Sequence, residues 1–245
     1  NGHNNSGMNG NSNEYRGLIP RILEGLFLSI EQRKLKARFE ATLQVSCLEI
    51  YNEKITDLLL DSSNMEQNMP LFNQPLIQRG LQLREDVKQG VYVEDLSHHI
   101  IRDSSEGMHY LRKGLANRHV GSTKMNDQSS RSHSVYTITI QSKCHEESGL
   151  VRVKTSYLHL IDLAGSERQQ STQTEGDRLA EACSINKSLS ILGSVINSLV
   201  EKTKKRNRHV PYRDSKLTYL LRDSLGGNSK TCIVANISAS SVQLT

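Results

Sequence analysis

A chain of 245 residues, 36% hydrophobic and 23% charged, holds enough apolar side chains for one sizeable core, and this balance excludes a disordered or fibrous protein. No run approaches the roughly 20 consecutive apolar residues of a membrane-spanning helix, and no signal peptide opens the chain. The net charge of +5 points to acidic partners, yet 4% aromatics, no tryptophan and no zinc-finger or RNP-like run argue against nucleic acid.

Residues 1–14 are an Asn/Gly/Ser-rich, low-complexity flexible start. Leu18, Ile22, Leu26 and Ile30 then recur at helical spacing, with Pro20 near the start, so residues 16–30 read as a helix. Residues 39–51 alternate as a strand does, and Asp57 to Leu60 read as a short helical piece. Residues 61–78 carry Ser, Asn, Gln and two Pro, the composition of an exposed loop. Residues 81–83 and 91–93, with Gly90 between them, predict a hairpin. Ser104 or Ser105 can cap a helix to about Arg118, with Met108, Leu111 and Leu115 on one face. Two long strands follow, over about 134–143 and 151–161.

Leu179, Ala182, Ile185, Leu189, Leu192, Ile196 and Leu199 set a helix within residues 175–199; the part before Ala182 also reads as loop. Residues 215–224 form a second helix and residues 231–237 a buried strand. Strands mixed with helices of crossover length, without internal repeats, predict a layered α/β domain. Cys47, Cys144, Cys183 and Cys232 never stand at C-x-x-C spacing. Cys47 and Cys232 lie in apolar runs and read as reduced core thiols in a cytosolic setting.

Chemistry concentrates in two stretches. In N-D-Q-S-S-R-S-H, Asn126 to His133, the hydroxyls of Ser129, Ser130 and Ser132 can meet Mg²⁺, its waters or phosphate oxygens; a polar loop held by local Ser–backbone bonds is the plain alternative. In D-L-A-G-S-E-R, Asp162 to Arg168, Asp162 ends an apolar strand and can hold a Mg²⁺ water, while the Gly165 N–H can meet a γ-phosphate. Asp162 could instead cap the strand end, and His133 could be a core histidine. Arg131 and Glu167 suit a bidentate ion pair; an exposed pair would be worth under about 1 kcal/mol. Taken together the stretches read as two nucleotide switches. The basic run Lys202 to His209 is a solvated loop or, beside Arg213 and Lys216, one wall of a docking face.

These two stretches resemble switch I and switch II of the kinesin motor domain. The likeness extends to residues 49–55 (E-I-Y-N-E-K-I), 185–189 (I-N-K-S-L), 210–218 (V-P-Y-R-D-S-K-L-T) and 223–231 (D-S-L-G-G-N-S-K-T). It runs from Tyr15 to about Ser238, and residues 81–85 and 220–223 lean toward the spindle-associated class-twelve branch. The resemblance implies an α/β, P-loop NTPase-like kinesin motor fold, a mostly β central sheet flanked by helices, over residues 15–240, with 241–245 as a tail.

It further implies ATP and Mg²⁺ as cofactors. Asn126, Ser129, Ser130, Ser132, His133 and Asp162 would then surround the nucleotide, with Ser132 and Asp162 serving the metal through water and His133 fixing switch I from behind. Arg131, Glu167 and Gly165 would act in hydrolysis, the Arg131–Glu167 pair closing the switches. Arg168, Asn186, Lys187, His209, Arg213 and Lys216 would face tubulin, and residues 175–199 would be the relay helix. The implied protein is an ATPase that moves along microtubules in the cytoplasm and on the cytoskeleton, the spindle included, and self-associates through coiled coil outside this segment.

The chain departs from the family in places. It contains no G-x-x-x-x-G-K-[ST] run, whose backbone N–H groups and Lys would hold the β- and γ-phosphates. Residues 226–231 lack a Gly before the Lys and read as a helix-ending turn. By resemblance the P-loop and first strands precede Asn1, and the neck linker and last helix follow about residue 240, so the expectation is a motor domain incomplete at both ends. The alternative is a non-catalytic microtubule-binding module or an inactive truncated product. Tyr219 stands where a basic residue is usual and Ser171 to Thr174 replace a more basic or Gly-containing loop, which lowers the expected tubulin affinity. Ala239 stands where Pro is usual.

Overall fold

The computed structural model describes residues 17–36, 38–60, 80–87, 90–120, 131–146, 148–165, 177–203 and 209–236. In chain order its elements are α1 (Leu18–Lys36), β1 (Phe39–Tyr51), β2 (Lys54–Asp57), β3 (Leu83–Asp86), β4 (Gly90–Val93), β5 (His99–Ile101), α2 (Ser104–Val120), β6 (His133–His145), β7 (Val151–Asp162), α3 (Asp177–Thr203), a 3-10 turn (Tyr212–Asp214), α4 (Lys216–Leu220) and α5 (Arg222–Gly226). They fall into two compact units: Asn1–Gln82 with Asp95–Arg168, and Leu83–Glu94 with Gln169–Thr245.

The first unit is built on an antiparallel sheet ordered β2-β1-β6-β7, with β5 also pairing β1. The centre of β1 is buried on both faces, from Val45 through Ile50, because it lies between neighbours and under helices; its alternation therefore fades where burial is greatest. α1 contributes Leu23, fully buried, and Ile30; α2 contributes Leu111; β1 and β6 contribute Val45, Tyr136 and Ile138 to the same core. Met108 packs against this core, whereas Leu115 is 43% exposed. α1 runs past the expected Ile30 to Lys36.

Three local expectations change. Asp57 to Leu60 are not helical. Asn52 and Glu53 both take positive φ (48° and 56°) and turn the chain back as a tight hairpin, so Lys54–Asp57 pairs with β1 instead. Leu58 N then donates to the Cys47 carbonyl (2.9 Å), Leu59 N to Asp57 Oδ1 (2.8 Å), and Asn117 Nδ2 to the Leu58 carbonyl (2.7 Å), which sinks Leu58 and Leu59 into the core. The cap of α2 is Asp103, whose Oδ1 accepts from Glu106 N at 2.8 Å, rather than Ser104 or Ser105; Glu106 returns a carboxylate oxygen to Arg102 N. Leu81, expected in the hairpin, bridges Ile55 beyond β2, donating its N–H to the Ile55 carbonyl at 2.8 Å.

In the second unit β3 and β4 pair from Leu83↔Val93 to Asp86↔Gly90. α3 is helical from Asp177, so the stretch before Ala182 is helix and not loop. Ser215 caps α4, its Oγ accepting from Leu217 N (3.1 Å) and Thr218 N (3.4 Å). Leu221 (φ −87°, ψ 4°) then breaks the single helix expected over residues 215–224 into α4 and α5. α5 ends at Gly227, as anticipated, but with φ −104° rather than a left-handed angle. Glycine is required there by closeness, since an added Cβ would lie 2.7 Å from the Asp223 carbonyl oxygen.

The strand expected over residues 231–237 is not formed over 231–236. Ile233 and Val234 are 71% and 70% exposed and Cys232 is exposed, because no described strand offers this run a hydrogen-bonding ladder. Cys47 is a buried core thiol as expected, and burial pushes its pKa to about 12.

The tightest approach in the first core is Gly114 of α2, where a Cβ would lie 2.8 Å from Cys47 Sγ and 3.4 Å from Cys47 Cβ. Gly114→Val should therefore overpack this contact and lower stability by about 1–3 kcal/mol in denaturant unfolding, with part of the loss recovered in combination with Cys47→Ala.

Candidate functional site

The antiparallel pairing of β6 and β7 sets Ser134 opposite Asp162. The end of the first polar stretch (Arg131, Ser132, His133) and the start of the second (Asp162 to Gly165) therefore lie at one end of two neighbouring strands. The ladder, and not sequence proximity, brings these two loops together.

A third element reaches in. Arg118 lies in the last turn of α2, and its side chain is 5% exposed. Its Nη2 donates to the Ser132 carbonyl (2.9 Å), its Nε to Ser132 Oγ (3.3 Å), and its Nη1 to Asp162 Oδ2 (2.8 Å) and Ser134 Oγ (3.5 Å). Glu49 of β1, also buried, brings Oε1 to 3.7 Å from Arg118 Nε. Burial raises the Glu49 pKa, while the Ser132 hydrogen bond and the Arg118 charge pull it back. A second link runs beside the first: Ala164 N donates to His133 Nδ1 at 2.9 Å, with His133 3% exposed. Burial, then the Arg118 charge, lowers the His133 pKa to about 4, so the ring is neutral near pH 7 and Nδ1 is available as an acceptor.

Asp162 suits a Mg²⁺ site served through water: its side chain is 70% exposed, and Mg²⁺ takes oxygen ligands while keeping several waters. Ser132 is fully buried and turns its hydroxyl to Arg118, so here it holds the guanidinium rather than presenting oxygen outward. Arg131 is half-buried, as is Gly165 one residue beyond Ala164. Asn126, Ser129, Ser130, Glu167 and Arg168 lie outside the described residues, and the Arg131–Glu167 pair with them. Arg118 and Glu49 were not foreseen. The readable sign for Arg118 was its position seven residues after Leu111, on the inward face of α2.

In the second unit Lys187 stands exposed on α3 and, with Ser190, Ile191, Ser194 and Asp214, lines an open depression of about 390 Å³. Asn186 belongs to α3, but its side chain is not among those described. His209 is exposed and Lys216 half-buried. Arg213 is exposed and ion-paired, its Nη2 donating to Glu85 Oε2 at 2.8 Å. Of the basic run, residues 204–208 lie outside the described residues.

Removing the buried guanidinium takes the nearest positive charge from the buried Glu49 carboxylate. Arg118→Leu should cost about 3–5 kcal/mol in denaturant unfolding near neutral pH. Glu49→Gln in the same chain should recover part of that loss, and so should lowering the pH, which protonates Glu49.

The family model described as the kinesin motor domain matches residues 2–245. The kinesin-like protein KIN-12G of Oryza sativa subsp. japonica is 52% identical over 92% of this chain and 17% of its own length. KIN-12C of Arabidopsis thaliana is 51% identical over 94% and 11%, and KIF15 of Strongylocentrotus purpuratus 50% over 91% and 14%. The chain thus spans less than a fifth of these relatives. Among solved structures, a KIF14 segment with ADP in complex with a microtubule superposes with a TM-score of 0.79 at 39% identity, covering 95% of this chain and 62% of that one. A fast kinesin gives 0.70 at 43%, covering 89% and 55%. With its sheet and flanking helices arranged as in these motor domains, the chain belongs to the kinesin motor domain family.

Proposed function

We propose that the full-length protein is a microtubule motor that couples ATP hydrolysis to movement along the polymer. The observation that carries this reading is the Arg118 guanidinium, bonded at once to the Ser132 carbonyl and the Asp162 carboxylate. It couples the ends of the two switch stretches, so a change in what Asp162 holds is felt at Ser132. The parallel bond from Ala164 N to His133 ties the same two stretches by their backbone side.

Catalysis in such a site is positional and electrostatic. Asp162 would hold a water of the metal, Ser129, Ser130 and Asn126 would contact the nucleotide, and Gly165 would offer its N–H to the γ-phosphate. Ser132 and His133 position their neighbours. The chemistry a bound Mg²⁺ would supply there is positive charge against the developing phosphoryl charge. Arg131 and Glu167 pair to close the loops and order the attacking water. The docking face of the second unit comprises Lys187, His209, Arg213 and Lys216 with Asn186, and its charge suits acidic tubulin; Arg168 is proposed to contact tubulin from the first unit. The microtubule complexes of two KIF14 neighbours support that partner and, with it, a cytoskeletal location; the spindle enters the proposal only through the class-twelve resemblance.

Two measurements test it. Arg131→Ala and Glu167→Ala in the full-length protein should each lower microtubule-stimulated ATP turnover by about a hundredfold or more, with nucleotide affinity changed little, because the pair acts after binding. Loss of affinity with turnover preserved at saturation contradicts the assignment. Arg213→Glu should weaken microtubule co-sedimentation, and wild-type binding should fall as salt rises. Retained microtubule binding by a wild-type protein with no ATP turnover would replace the motor with a binding module.

A further inference from the structure

Glu85, on β3, is an exposed carboxylate that accepts from three side chains of the second unit. Its Oε2 accepts from Arg213 Nη2 (2.8 Å) and from the Tyr219 hydroxyl (2.9 Å), and its Oε1 accepts from Arg222 Nη1 (2.6 Å). The Tyr219 ring lies against both guanidiniums, with centroid distances of 5.2 Å to Arg213 and 5.9 Å to Arg222. Arg222 turns its Nε to Asp223 Oδ1 at 3.3 Å. Two arginines are thus stacked on one aromatic ring and aimed at a single carboxylate, the arrangement a protein would use to recognise an acidic side chain presented from outside.

We propose that Glu85 is a built-in competitor on the docking face: it occupies the Arg213–Arg222–Tyr219 receptor in place of an acidic side chain of the microtubule surface and so holds affinity below what the arginines alone would give. The inference rests on the docking reading above and adds regulation to it. Two guanidiniums face two carboxylates, Glu85 and Asp223, so the cluster is near neutral and contributes little long-range attraction. The receptor is nevertheless reachable: the Arg213 side chain is 73% exposed and that of Glu85 37%, so an incoming carboxylate can share or displace the internal one. The hydrogen bonds from Arg222, Tyr219 and Arg213 hold the Glu85 pKa down to about 2, so the competitor stays ionised at any physiological pH and is not relieved by protonation.

Tyr219 has a defined part in this. Read from sequence it is a missing positive charge; here its hydroxyl orients Glu85 and its ring backs the two arginines.

The test is co-sedimentation of the full-length protein with microtubules across a salt series, comparing wild type, Glu85→Gln, Tyr219→Phe, Arg213→Glu and the Glu85→Gln/Arg213→Glu pair, with thermal unfolding of each. Glu85→Gln should bind about two- to fivefold more tightly at low salt, the scale of an exposed ion pair, with a steeper salt dependence. Tyr219→Phe should shift affinity the same way by less, and Arg213→Glu should erase the gain in the double variant. Unchanged or weaker binding by Glu85→Gln, with Arg213→Glu still weakening the wild type, overturns the competitor and leaves the docking face intact. Full binding by Arg213→Glu instead overturns the docking face itself. Should Glu85→Gln fail to fold, Tyr219→Phe decides: tighter binding supports the competitor, and unchanged or weaker binding overturns it.

Discussion

A single buried cation organises the end of the first unit where β6 begins and β7 ends. Taking a guanidinium out of water is costly and is tolerated only where charge and donors are both satisfied. Arg118 meets this condition with one carboxylate on β7, one on β1, and a carbonyl and hydroxyls on and beside β6. Its place in the last turn of α2 is itself favourable, since a cation there lies at the negative end of the helix dipole. Because these partners come from separate elements, none can move far without leaving a buried charge short of a partner. The switch ends are therefore coupled by electrostatic necessity, before any ligand is considered.

That coupling depends on strand register. β6 and β7 pair from Ser134↔Asp162 to His145↔Val151, and a slip of one residue would turn Asp162 to the opposite face and away from Arg118. The register is held from both faces, with Val135 buried on one side of β6 and Tyr136 and Ile138 on the other, and this apolar run is apparent in the sequence. It is also why β1, β6 and β7 emerge close to their expected bounds, and why the switch stretches could be set at strand ends from sequence alone.

What the sequence conceals is whatever depends on a partner distant in the chain. Glu49 reads as one charge in a strand and Arg118 as one charge near a helix end; their meaning appears only when β1 and α2 come together over Ser132. The apolar run at residues 231–236 fails for the complementary reason. Apolar composition states a tendency to be buried, but a strand exists only with a neighbour to share its hydrogen bonds, and none is described there. Asp57 to Leu60 mislead through turn chemistry. Asn52–Glu53 is not the Asn-Gly pair that usually marks a tight hairpin, so the sequence does not announce the return strand β2, and the leucines that follow it resemble a helical turn.

The two units use the same chemistry, arginine against carboxylate, at opposite depths. Around Arg118 the guanidinium and Glu49 are buried, with only Asp162 reaching solvent, so salt screens the Arg118–Glu49 contact little and removing the arginine leaves Glu49 without its counter-charge. Around Glu85 the groups stand at the surface, where each contact is weak, screened and open to exchange. A buried network suits a task in which two loops must keep a fixed relation, since its cost of rupture enforces the geometry. An exposed network suits a task in which internal and external carboxylates trade places, since neither exchange partner is held by desolvation. Burial, more than residue identity, separates the two roles, which is why Arg118 and Arg213 look alike in the sequence and act differently in the fold.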